Sequence, residues 1–255
     1  MLITEPLFYL LAIPAILIAG ISKGGFGGGL GVVSVPLMAL VIDPVVAAAI
    51  MLPILCSMDL MGLKAYWQRW NTSQIKILVP AAIVGIMVGT LTVKYLKASD
   101  VKLLVGVIAV GFALYHWSKP YLMPRIQAAN TNVLYGRFWG TISGFTSFIA
   151  HAGGPPLSVY LLPLKLPRTE YQATTILFFT LVNYIKLIPY TAMGQFSSTN
   201  LLTSLLLLPL AFIGMKLGFV LHHKVSEALF YKIAYVLLFL TGAKLMWDGI
   251  AGLIA

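Results

Sequence analysis

The sequence predicts an all-α fold: a polytopic membrane helix bundle of two inverted repeats, each with a broken, glycine-rich pair of short helices plus three longer spans. Three observations predict it. The 255 residues are 60% hydrophobic and 9% charged, with a mean hydropathy of +0.94, and a water-soluble globule of that composition would expose large apolar patches. Several apolar runs approach the roughly 20 residues a helix needs to cross a bilayer. Two glycine-packed breaks, at residues 22–31 and 150–156, interrupt corresponding positions of the two halves, and paired breaks of this kind point to a transporter's binding site.

The first apolar run, 7–19, is shorter than a full crossing and is expected to end inside the membrane. No basic segment precedes it and no small-residue cleavage pattern follows, so it reads as a retained span. A second short element, 32–42, runs to Asp43-Pro44, where proline suits the first helical position. Residues 45–62 form a full span carrying Asp59, and the basic, tryptophan-bearing loop 64–76 has the makings of a cytoplasmic connection. Two further spans, 77–93 and 101–117, complete the first repeat, 1–118.

A polar connection, 119–137, leads to the second repeat, 138–255. There the short-element pattern returns in 138–149 and 157–164, and three long apolar segments follow at 171–192, 201–221 and 228–253. Adding 125 carries Gly28-Gly29 onto Gly153-Gly154, adding 129 carries Pro80, Gly85 and Gly89 onto Pro209, Gly214 and Gly218, and adding 130 carries Trp117 onto Trp247. A slowly drifting offset with the same order of features is what an old internal duplication leaves. With three long elements per half, the second repeat enters inverted and both termini fall outside. Loop charges agree at the 64–76 and 165–168 connections, whereas 94–102 and 222–232 are both basic and do not discriminate.

The formal charge of +10, from 17 Lys+Arg against 7 Asp+Glu, is scattered between spans. It acts as a topology signal and headgroup contact rather than a nucleic-acid surface. The single Cys56 excludes an internal disulfide and fits a small buried hydrophobe. Glycines at four-residue spacing, Gly85/Gly89, Gly214/Gly218 and Gly136/Gly140/Gly144, suit close helix packing.

Chemistry concentrates at the breaks. A helix starting there presents backbone N–H groups and the positive end of its dipole, an anion site in outline. The candidate substrate-binding residues are Ser22, Lys23, Gly24, Gly25, Gly27, Gly28, Gly29 and Ser34 at the first break, with Ser147, His151, Gly153, Gly154 and Pro155 at the second. Lys23 would cost about 2.5–3.5 kcal/mol at the bilayer centre, which a bound anion offsets unless the side chain snorkels to an interface. The serine hydroxyls can serve an oxyanion or bond a helix carbonyl. Asp59 and His151 are candidates for coupling to an ion, a proton above all. Asn183 and Lys186, in the matching span of the second half, are weaker candidates of the same kind. Ser147 and His151, four apart, could form a nucleophile–base dyad, but no third orienting residue accompanies them, and no spacing of His and Glu suggests a metal. No catalytic residue, cofactor or metal is assigned.

At these two motifs the sequence resembles the TauE/SafE sulfite exporter family, through Lys23-Gly24-Gly25-Phe26-Gly27-Gly28-Gly29-Leu30-Gly31 with Pro36 after it, and His151-Ala152-Gly153-Gly154-Pro155-Pro156. The resemblance covers nearly the whole chain. It implies a bacterial inner-membrane transporter exporting a small sulfur-containing anion, sulfite or an organosulfonate such as sulfoacetate, coupled to an ion gradient. The alternative is a passive anion channel, and an intramembrane hydrolase is a distant third.

Overall fold

The computed structural model describes residues 3, 5–25, 29–126, 132–221 and 227–254, and among them every regular element is a helix. In chain order these are α1 (Pro6–Gly25), a 3-10 turn (Gly29–Val33), α2 (Ser34–Met38), α3 (Pro44–Ala65), α4 (Thr72–Tyr95) and α5 (Ala98–Ile126). The rest are α6 (Val133–Ala150), α7 (Gly154–Leu161) continued by a 3-10 turn (Leu162–Leu164), α8 (Arg168–Ala192), α9 (Ser198–Leu221) and α10 (Glu227–Ile254). Among the described residues seven helices, α1, α3, α4, α5, α8, α9 and α10, are long and apolar enough to cross a membrane. Their outward faces are apolar, as a lipid-facing surface must be: Leu10, Met87, Leu114, Leu205, Leu240 and Trp247 are all exposed.

Local chemistry accounts for the helix starts. Asp43 caps α3, its Oδ1 accepting from the N–H groups of Val45 (2.8 Å) and Val46 (3.3 Å), with Pro44 next in line. Asn71 caps α4 through Gln74 N–H at 3.0 Å, and Asn132 caps α6 through Tyr135 N–H at 2.8 Å. Cys56 is a buried free thiol on α3.

Two elements run further than the sequence pattern suggests. α5 continues to Ile126, and α1 continues through Ser22-Lys23 to Gly25 as a 20-residue helix. The reason on α1 is packing. Its glycines face α9, and a Cβ on Gly24 would sit 2.3 Å from the carbonyl oxygen of Met215. The part of the glycine run closest to the helix is therefore a seam between two backbones. A second glycine seam joins α4 to α6, where a Cβ on Gly144 would come within 2.1 Å of the Ala82 carbonyl oxygen, and a third joins α5 to α10, where one on Gly106 would come within 2.7 Å of the Gly242 carbonyl oxygen.

The most extensive packing is α4 on α6, α5 on α10 and α1 on α9, while α3 lies at the centre, against α8 and α9, as the most buried of the spans. α2 doubles back along α1: the Ser34 hydroxyl donates to the Ala15 carbonyl at 3.2 Å. The turn after α3 meets the start of α8, with Asn71 N–H donating to Thr174 Oγ1 (2.9 Å) and its side-chain amide to Glu170 Oε1 (2.8 Å). Toward the opposite end the second turns of α3 and α9 are tied by the Ser204 hydroxyl to the Ile50 carbonyl at 2.8 Å. Both ends of the bundle are thus pinned by polar bonds across an otherwise apolar interior.

Candidate functional site

Polar side chains from α1, α3, α6 and α8 converge beside the point where α6 stops. It stops at His151, whose backbone lies in the left-handed region (φ 51, ψ 30), a conformation costing an ordinary residue about 1–2 kcal/mol. Irregular backbone at membrane depth needs partners. Hydroxyls of α6 supply them, Thr146 Oγ1 donating to the Ala152 carbonyl (3.1 Å) and Ser143 Oγ to that of Gly153 (2.7 Å).

Lys23, in the last turn of α1, places Nζ 2.5 Å from Oδ1 of Asp59, an ion pair held by charge rather than by a well-directed hydrogen bond. Nζ also donates weakly to the Leu55 carbonyl at 3.4 Å. The other carboxylate oxygen, Oδ2, accepts from the side-chain amide of Asn183 at 2.6 Å. Asp59 is fully buried, so this pairing is what makes a carboxylate tolerable there.

Lys186 stands one turn along α8 from Asn183 and is also fully buried. Its Nζ meets three acceptors, the Ser147 carbonyl (3.0 Å), the Ser147 hydroxyl (3.1 Å) and His151 Nδ1 (2.7 Å). Three acceptors match the three N–H bonds of an ammonium. His151 Nε2 lies 2.9 Å from the Ala48 carbonyl. That network assigns the imidazole as neutral, with the proton on Nε2 donated to Ala48 and Nδ1 accepting from Lys186. Among the described residues Lys186 thus has hydrogen-bond partners but no carboxylate against it.

A cavity of about 40 Å³ opens beside these groups, lined by Lys23, Ser147, His151, Gly154, Thr175 and Asn183 among others, with Asp59 and Lys186 outside its lining. At about 10–15 Å³ per water it holds roughly three oxygen-sized atoms. Gly154 begins α7 at its edge. Pro155 and Pro156 have no N–H and the Leu157 N–H is spent on the Gly153 carbonyl at 3.2 Å, so the first turn of α7 offers the cavity little beyond Gly154. The charge here comes mainly from lysine, with helix N–H groups in a minor part.

Of the residues singled out from the sequence, Lys23, Ser147, His151 and Gly154 line this cavity, and Asp59 is tied to it through Lys23. Ser22 is buried in the same turn of α1, and Ser34 bonds α1. Gly24 and Gly25 pack on α9, Gly29 opens the 3-10 turn, and Gly153 packs against Ser143. Pro155 lines a second, apolar cavity of about 300 Å³ between α5, α6 and α7. Gly27 and Gly28 lie outside the described residues. The Ser147–His151 dyad is not formed, because both ring nitrogens are already occupied by Lys186 and Ala48. Sequence reasoning underweighted Lys186 and passed over Gln172 and Thr175. The signal was present: Gln172, Thr175, Ile176, Phe179, Asn183 and Lys186 recur at helical spacing, one polar-edged stripe of α8.

Over residues 12–245 the sequence matches the sulfite exporter TauE/SafE family. The chain belongs to that family. A curated relative, the probable sulfite/organosulfonate exporter TauE of Cupriavidus necator, is 27% identical over 180 residues, covering 68% of this chain and 69% of that protein. No solved structure matches. This TauE/SafE protein is a multi-pass membrane protein whose polar cavity is lined by Lys23, Ser147 and His151.

Proposed function

We propose that this TauE/SafE protein exports a small sulfur-containing anion, sulfite or an organosulfonate, across the bacterial inner membrane by alternating access coupled to an ion gradient. One observation carries the reading: Lys186 is fully buried at membrane depth behind a cavity of oxyanion size, with three acceptors around its Nζ and, among the described residues, no carboxylate against it. A buried charge without a counterion is costly. A bound anion supplies that counterion. The relative's name, sulfite/organosulfonate exporter, supports the class of anion. In this reading Lys23 and the Ser147 hydroxyl face the substrate oxygens, Lys186 acts from behind Ser147 and His151, which line the cavity, and Asp59, paired to Lys23, sets the charge that the pair presents.

Two repeats, 1–118 and 138–255, related by inversion, fit the packing. Exchanging each helix of the first half with the one five places later turns the α1–α9 pair into α6–α4 and the α3–α9 pair into α8–α4, and leaves α5–α10 and α3–α8 as they are. Adding 124 carries Gly20, Lys23 and Asp59 onto Gly144, Ser147 and Asn183. The cluster then sits where the halves meet, and rocking one half against the other would open it to each side in turn.

The test is flux in liposomes. Reconstituted protein is expected to carry sulfite or a small organosulfonate, and both Lys186→Met and Lys23→Ala to lower that flux at least tenfold. Unchanged flux in both variants, with the protein still folded, would remove the lysines from the function.

A further inference from the structure

The charges around the cavity do not balance, and the imbalance has a definite size. Lys23 contributes one positive charge, which Asp59 cancels at 2.5 Å. Lys186, taken as the ammonium that its three acceptors fit, contributes a second from behind the cavity wall, and His151 none, since its Nδ1 accepts from Lys186 and its Nε2 faces the Ala48 carbonyl. Ser147 and Asn183 are neutral, and among the described residues Asp59 is the only fully buried carboxylate. The groups facing Asp59 are Lys23 from α1, Asn183 and, further off, Lys186 from α8, and Cys56 on its own helix.

We infer that the site selects its anion by charge, taking a single negative charge, and that Asp59 sets this limit as a specificity-determining residue. The inference rests on the proposed anion transport and deepens it. One bound negative charge brings the cluster to neutrality, the state that costs least in a medium of low dielectric constant. A dianion would leave a net negative charge next to the Asp59 carboxylate. The substrate class is therefore the monoanion, a simple alkylsulfonate or hydrogensulfite, in preference to sulfite dianion, sulfate or a sulfocarboxylate dianion such as sulfoacetate. The cavity of about 40 Å³ fits the three oxygens of one such head group. Asn183 matters for a related reason: it occupies Oδ2 of Asp59 with a neutral donor, so that Asp59 neutralises one lysine and leaves the other for substrate.

The experiment uses methanesulfonate and sulfate, whose charges of one and two do not change near neutral pH. The full chain is reconstituted in liposomes and the flux of each anion measured at equal concentration. Wild type is expected to favour methanesulfonate over sulfate by at least tenfold. Asp59→Asn, which keeps the shape and raises the net positive charge to two, is expected to shift that ratio at least tenfold toward sulfate. A wild type that prefers sulfate, or a ratio indifferent to Asp59→Asn, overturns the charge rule but leaves anion transport standing. Wild-type protein that carries neither anion, nor sulfite, overturns both.

Discussion

Lys23 and Asp59 illustrate what a single residue can and cannot do in a membrane interior. Each alone is expensive there, and each is tolerable because of the other. Lys23→Met leaves the buried Asp59 carboxylate with only the Asn183 amide and is expected to cost about 3–5 kcal/mol, the range for breaking one side of a buried pair. Lys23→Met combined with Asp59→Asn removes both charges and is expected to recover most of that loss, although anion transport stays impaired. Thermal unfolding of the purified variants in detergent reads the difference; a double variant no more stable than the single would show that the pair is not coupled. His151 stores strain in the same cluster. Its left-handed backbone is held by two ring contacts, to Lys186 and to Ala48, and the imidazole works there as a fixed acceptor.

Among the helices, glycine acts by what it lets approach. α1 and α9, and likewise α4 and α6, are close enough that an added Cβ meets backbone. Gly144→Val is therefore expected to force α6 off α4 and lower the unfolding temperature sharply. Gly111→Ala makes a contrast within α5, because a Cβ there meets nothing within 4 Å. It is expected to be neutral or to stabilise by up to about 1 kcal/mol through better helix propensity. Similar losses in both variants would show that the seam does not depend on close approach.

The bundle as a whole brings together turns that are distant in sequence. The basic connection after α3 and the basic turn before α8 are bonded to each other through Asn71, Glu170 and Thr174, so their Lys and Arg residues share one side of the membrane. The connection between α8 and α9 contains no charged residue, and the start of α9 lies beside that of α3, at the other end. On the positive-inside rule the first side is cytoplasmic. With Cys56→Ala as background, Arg69→Cys and Thr169→Cys are expected to resist a membrane-impermeant maleimide in intact cells, and Ser198→Cys to react. The opposite pattern would invert the orientation.

Composition and apolar run length determined by themselves that this is a helical membrane protein, and periodicity with caps such as Asp43 placed most spans to within a few residues. These properties are local: a helix needs only its own hydrogen bonds, and a bilayer needs only length and hydrophobicity. The glycine motifs and the family were legible too, with Lys23, Asp59, Ser147 and His151 among the candidates. What tertiary structure alone decided is which charges meet. Lys23 finds Asp59 across 36 positions of chain and Lys186 finds His151 across 35. Proximity between helices depends on how their faces rotate against one another. The same glycine run, read from sequence as a break, proved partly a packing seam because α9 lay against it. The charge count on which the proposed anion selectivity rests emerges only when these pairs are placed in space.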